Sequence, residues 1–172
     1  MSPKEKQKSI FTKAIHAGED RARYADSITT PIVQSSTYFF KDSKEIESYT
    51  KNSKKRYEYG RYGNPTEIVA QQRLMVLNSA DDALVFSSGM MAITTTILAL
   101  VESGDHIVIT DDCYGRTLEF CRTYLKRFGI DCTIVPFGDY ELLDSSIREN
   151  TRFVFSESPT NPYLNVFDMV KF

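Results

Sequence analysis

From Asn64 onward, short apolar runs alternate with stretches of helical length, and this alternation limits the possible folds more than any other property of the chain. Pro65 and Thr66 open a helix, proline being preorganised for a first turn. Ile68, Val69, Gln72, Leu74, Met75 and Leu77 continue it as far as Asn78-Ser79. Leu84 to Phe86 reads as a buried strand and Met90 to Val101 as an apolar, Ala- and Thr-rich helix. After the turn Ser103-Gly104-Asp105 come a strand at 106–109, a helix from Arg116 to Phe128 stopped by Gly129, and a strand at 132–135. A short helix from Leu142 to Arg148 and a strand at 152–155 complete the series. Strands separated by helices at this spacing form right-handed βαβ units. The expected fold is therefore α/β, an open, mostly parallel sheet with helices on both faces. Leu164 to Val170 reads as the start of another element. About four strands with no closing helix would leave an apolar edge, so the large domain is expected to be incomplete.

The first part of the chain is different. Lys4 to Lys8 is a solvated charge cluster, and Ser27 to Tyr38 is β-branched and Ser/Thr-rich, broken by Pro31. Lys41 to Tyr49 is expected to form a short helix with Ser43 as a possible cap, and Lys51 to Arg56 is a basic run. Ile10, Phe11, Ile32, Val33, Tyr38 and Phe39 suit an arm that lies on another surface, a neighbouring subunit being the natural candidate. The expected organisation is an N-terminal arm over 1–62, followed by the first part of a large domain over 63–172.

Composition narrows the functional classes. In 172 residues the chain is 41% hydrophobic and 26% charged, with a net charge of −2, ordinary for a soluble globular protein. A nucleic-acid partner would call for a basic stripe, and a membrane span for a longer apolar run; neither partner is expected. Met1 to Lys8 has no apolar signal-peptide core, so a cytoplasmic location is expected. Cys113, Cys121 and Cys132 lack CxxC spacing and an even count, and read as reduced thiols. His16 and His106 are too few and too scattered for a metal site, His106 being a strand-end residue.

The candidate chemistry lies where ligands bind in open α/β sheets, outside the carboxyl ends of the strands. Ser87-Ser88-Gly89 joins the first expected strand to its helix. A small-residue turn there leaves backbone N–H groups unpaired, with the helix dipole behind them. Such a turn suits a phosphate or carboxylate, and it serves equally as a plain helix cap. Asp111 to Gly115 and Ser156 to Pro162 follow two later strands, and Tyr57 to Thr66 precedes the first helix. Together they offer an anion cradle, a flat aromatic surface, an amide and an arginine. A phosphorylated aromatic cofactor would use all four.

The pattern Tyr-x-Arg-x-x-Asn-Pro-Thr at Tyr59 to Thr66 resembles that of the Cys/Met-metabolism family of pyridoxal-phosphate (PLP) enzymes. Ser88-Gly89-Met90, Asp112-Cys113-Tyr114-Gly115 and Glu157-Ser158-Pro159-Thr160-Asn161-Pro162 match the same family in the same order. So do Ala14-Ile15-His16-Ala17-Gly18 and Thr29-Thr30-Pro31-Ile32, and the match runs from about residue 12 to the end. Within the family, Glu58 to Gly63 and Asp112 to Tyr114 look most like the plant-type cystathionine γ-synthases, while γ-lyases and sulfhydrylases share much of the pattern.

The resemblance implies a fold-type I large domain and a residue-by-residue site. Backbone N–H groups of Gly89 and Met90, after Ser88, would bind the cofactor phosphate, and Tyr114, the catalytic candidate, would stack on the pyridine ring. Asn161 would hydrogen-bond the phenolic oxygen or the substrate carboxylate, with Glu157 supporting its loop. Tyr59 and Arg61 would reach the phosphate of a neighbouring subunit, giving a homodimer or homotetramer with shared active sites. The implied reaction is γ-replacement joining cysteine to an activated homoserine. The family's Schiff-base lysine and its pyridine-pairing aspartate lie beyond Asn161 and outside this sequence. Lys171 is not in that lysine's context. The chain alone is therefore expected not to turn over, and a non-catalytic role is the alternative from another class.

Overall fold

In the computed structural model, residues 9–19, 23–51 and 56–170 are described. The Lys4–Lys8 cluster, Lys54 and Lys55 of the basic run, and Lys171 lie outside them. The chain divides into two compact units between Val85 and Phe86.

Among its described residues the first unit has three α-helices. α1 (Ile10–His16) is capped by Ser9, whose side chain accepts the Thr12 N–H. The sequence pattern did not mark this helix. α2 (Ser43–Thr50) starts one residue after its cap, which is Asp42 rather than Ser43: the Asp42 carboxylate accepts the Glu45 N–H at 2.8 Å. α3 (Pro65–Leu77) begins at the expected proline, with Asn64 as cap. α1 packs on α3. At the end of α1, Gly18 takes a left-handed φ of 74°, and a Cβ there would stand 2.5 Å from Gln72 Oε1 of α3. Only glycine lets the chain turn that close to the helix. Nearby, Glu19 accepts from Arg73 at 2.7 Å, pairs with Arg23 at 2.7 Å and meets His16 Nδ1 at 3.0 Å. The contact with His16 and the two guanidinium groups hold its carboxyl below the usual range.

The second unit contains the sheet. β1 (His106–Thr110), β2 (Asp131–Val135) and β3 (Thr151–Phe155) are all parallel, in the order β2-β1-β3. Alternation along the central strand sorts the layers. Ile107 and Ile109 join Ile97 of α4 (Gly89–Leu100) together with Cys121, Leu125 and Ile130 on one face. Val108 joins Val135, Leu143 of α6 (Tyr140–Ser145) and Phe167 on the other. β1 is fully buried, as the middle of a doubly covered parallel sheet requires.

Three expectations need correcting. Leu84 to Phe86 is not a strand: it pairs with no strand among the described residues, and Leu84 is 71% exposed. Apolar residues can propose a strand, but a ladder needs a neighbouring backbone. Arg116 to Phe128 is not a uniform helix. It is α5 (Gly115–Glu119) continued by a π turn at Phe120–Tyr124 and a 3₁₀ turn at Leu125–Phe128. Thr117, Cys121 and Leu125, all fully buried, recur every four residues. In a straight α-helix that stripe drifts by roughly 40° per step, and the wider turn brings it back onto the sheet. Finally, Leu164 to Val170 forms no helix or strand; it contributes Phe167 to the core as irregular chain.

Candidate functional site

α4 ends at Leu100, and a short turn returns the chain into β1 at His106. A helix packed beside the strand that follows it runs antiparallel to that strand. The N-terminus of α4 therefore lies at the carboxyl end of the sheet. Ser88 caps it in extended geometry, its hydroxyl accepting the Met91 N–H at 3.1 Å. The Gly89 and Met90 N–H groups precede any intrahelical acceptor and have no partner among the described residues. A Cβ on Gly89 would meet nothing within 4 Å, so an approaching oxygen has room to reach both donors.

The loop after β1 stands beside this turn. Thr117 of α5 donates to Met90 Sδ at 3.7 Å, bringing the first turns of α4 and α5 together. Tyr114 precedes α5, and its carbonyl accepts the Thr117 and Leu118 N–H groups at 2.8 and 3.2 Å. Its own N–H donates to Glu157 Oε1 at 3.1 Å. The backbone is thus held from both sides while the side chain stays 43% exposed. Glu157, expected to support its own loop around Asn161, makes this contact with the neighbouring loop instead.

The loop after β3 is fixed by residues to which the sequence reading gave no role of their own. Thr160 is buried; its N–H donates to the Asn165 carbonyl and its hydroxyl accepts the Asn165 N–H. The Asn165 amide donates to Asp112 Oδ2 at 2.8 Å, tying this loop to the one after β1. Thr110 and Ser156 hydroxyls meet at 2.9 Å across the two strand ends, and Asp111 accepts the Phe137 N–H at 2.8 Å. Folded around Thr160, the loop leaves Asn161 exposed, with no hydrogen bond from its amide among the described residues. The only advance signal for this scaffold was the density of Ser, Thr and Asn within the recognised stretches.

Ser88, Gly89, Met90, Tyr114 and Asn161 thus all belong to the second unit, at the carboxyl end of its sheet. Tyr59 and Arg61 belong to the first. There Tyr59 bridges to Thr37, and the Gly60 N–H donates to the Ser36 carbonyl at 2.7 Å. Asn64 and Thr66 explain the Asn-Pro-Thr spacing. The Asn64 amide donates to the Val33 carbonyl, and the Thr66 hydroxyl accepts the Val33 N–H, both at 2.9 Å. The Arg61 guanidinium lies over the Tyr59 and Tyr62 rings, 5.1 and 5.6 Å from their centroids. No carboxylate pairs with it among the described residues. An arginine stacked on aromatic faces keeps its N–H edge free for an anion.

Comparison with known proteins places this geometry. Residues 11–172 match the model of the Cys/Met metabolism PLP-dependent enzymes. The chain belongs to that family. It is 42% identical over 159 residues to Cystathionine gamma-synthase 1, chloroplastic, of Nicotiana tabacum, covering 91% of this chain and 29% of that one. It is 36% identical over 170 residues to L-methionine gamma-lyase of Treponema denticola, covering 98% and 42%. A Campylobacter jejuni structure assigned as an O-acetylhomoserine (thiol)-lyase carries N'-pyridoxyl-lysine-5'-monophosphate. It superposes with a TM-score of 0.85 at 28% identity, over 94% of this chain and 40% of that one. The chain therefore spans less than half the length of these family members. The three-stranded parallel sheet with its covering helices is part of the family's PLP-enzyme fold.

Proposed function

We propose that this chain holds PLP at the carboxyl end of its sheet and belongs to a transsulfuration enzyme that joins cysteine to an activated homoserine by γ-replacement. The observation that carries the reading is the pair of unpartnered N–H donors on Gly89 and Met90, next to a half-exposed aromatic ring anchored through its backbone. The residues fit the cofactor: a dianionic phosphate suits a helix N-terminus with open space at Gly89, and a flat heterocycle suits the Tyr114 face.

When bound, PLP accepts the electron pair released at the substrate's α-carbon. The chain's own residues prepare that event. Gly89 and Met90 hold the phosphate through their N–H groups, with the Ser88 cap keeping the turn in shape. Tyr114 covers one ring face and keeps water from it. Asn161 donates its amide to the phenolic oxygen or to the substrate carboxylate. Tyr59 and Arg61 reach the phosphate of a neighbouring subunit from the arm, 1–62, while 63–172 forms the cofactor-binding part. Assembly is then a homodimer or homotetramer, in the cytoplasm. Cleavage of cystathionine or methionine is the second reading, favoured by the match to a methionine γ-lyase over 98% of the chain.

PLP affinity of site variants, followed by absorbance, tests the site. Arg61→Ala should weaken retention about tenfold or more, the loss of a charged hydrogen bond, and more than Tyr114→Phe, which keeps the stacking face. Negligible and equal effects of Arg61→Ala and Tyr114→Ala would remove both residues from the site.

A further inference from the structure

The three cysteines converge on one apolar layer. Cys113 and Cys121 are buried in the cluster of Ile97, Ile107, Ile109, Leu125 and Ile130, and Cys132 packs against it while half-buried. Register fixes the direction of Cys132. It stands opposite Ile107, as Ile134 stands opposite Ile109, and register partners in a parallel sheet project to the same face. Cys132 therefore faces the layer covered by α5, where the π turn presents Cys121. Among the described residues β2 is an edge strand, and Cys132 on it is half-buried while Cys121 is fully buried, so a small solute meets Cys132 first.

We propose that Cys121 and Cys132 form a modification site, a thiol pair that hydrogen peroxide oxidises to an intramolecular disulfide. The Cys132 thiolate attacks one peroxide oxygen; the S–O bond forms, the O–O bond breaks, and the departing hydroxide takes a proton to become water. The Cys121 sulfur then attacks the Cys132 sulfur. The S–S bond forms, the S–O bond breaks, and the hydroxide leaves as a second water with the Cys121 proton. Two thiols are oxidised and one molecule of hydrogen peroxide is reduced.

Electrostatics agrees with this division of roles. The neighbouring Cys121 thiol, and then Arg122 and Lys126, hold the Cys132 thiol below its ordinary value, while its Sγ lies 4.0 Å from the Thr133 carbonyl. The Cys132 thiol, and then burial, push Cys121 up. Cys113 is pushed up to about 12, first by burial and then by Glu157, Asp111 and Asp112. The thiolate is the reacting form, so Cys113 should react at least about tenfold more slowly than Cys132.

The test treats the whole chain with equimolar hydrogen peroxide, alkylates the remaining thiols and maps peptides without reduction. The expected result is a linked peptide pair containing Cys121 and Cys132, lost on reduction, with Cys113 still alkylated. Cys121→Ser should stop at a sulfenic acid on Cys132 that dimedone traps; the wild-type map decides the matter even if that variant does not fold. Cys132 carried to sulfinic acid with Cys121 still alkylated would overturn the proposal. So would a link through Cys113, or three unchanged thiols at a peroxide concentration that oxidises free cysteine.

Discussion

His106 opens β1 with its ring fully buried, and its replacement offers a quantitative check of the sheet. Nδ1 lies 2.8 Å from the Thr151 hydroxyl on β3, and Nε2 lies 2.8 Å from the Thr133 hydroxyl on β2. Each threonine oxygen already accepts from Arg148, through its backbone N–H for Thr151 and its guanidinium for Thr133. A neutral imidazole satisfies this arrangement with one N–H donor and one ring-nitrogen acceptor. An imidazolium would make both nitrogens donors and would meet the Arg148 charge. Burial, and then Arg148, hold the pKa below 6.5, against a smaller opposing pull from Asp131. The unfolded chain therefore binds more protons than the folded one just below pH 6.5, and stability rises with pH there. The contribution is fully present above 6.5 and is lost as pH falls towards the folded pKa, at up to about 1.4 kcal/mol per pH unit. His106→Leu removes two hydrogen bonds at an expected cost of about 1–3 kcal/mol near pH 8. It should also flatten the dependence between about pH 8 and pH 5.5. Amide exchange of the β1 backbone at several pH values reads both effects in the unit that contains the sheet. Equal slopes in wild type and His106→Leu would refute a buried neutral imidazole as their source.

Three further perturbations probe the turns and supports. Ser88→Ala removes the cap from α4 and should cost about 1 kcal/mol, while Ser88→Gly should cost a few tenths; urea titration distinguishes them. Gly18→Ala places a Cβ 2.5 Å from Gln72 Oε1 at a left-handed φ, and should cost about 1–3 kcal/mol, read as faster amide exchange in α1 and α3. Glu157→Ala removes the acceptor for the Tyr114 N–H and should lower PLP affinity about tenfold, whereas Glu157→Gln, which keeps an oxygen there, should lose much less. Equal affinities for the two variants would show that Tyr114 does not depend on this bond.

Local and linear features were legible from the residues alone. The alternation of apolar runs and helical stretches marked β1, β2 and β3 to within a residue or so, and the ordered stretches from Tyr59 to Pro162 marked the family. Pro65 marked the start of α3 and Gly129, with its left-handed φ of 74°, the end of the long helical stretch, because caps and breakers act within one turn. Tertiary structure decided whatever depends on a distant partner. Leu84 to Phe86 has strand composition but no described strand beside it, and composition supplies no hydrogen bonds. The stretch from Gly115 to Phe128 changes its winding because three buried positions must face one sheet, a demand visible only once β1 is in place. His106 is one residue in a run, and only the threonines of two other strands make it a buried neutral bridge. The loop holding Asn161 owes its shape to Thr160, Asn165 and Asp112, whose meeting no spacing announced. Propensity and periodicity operate over a few residues, whereas burial and hydrogen-bond satisfaction are settled by neighbours that the fold brings from tens of residues away.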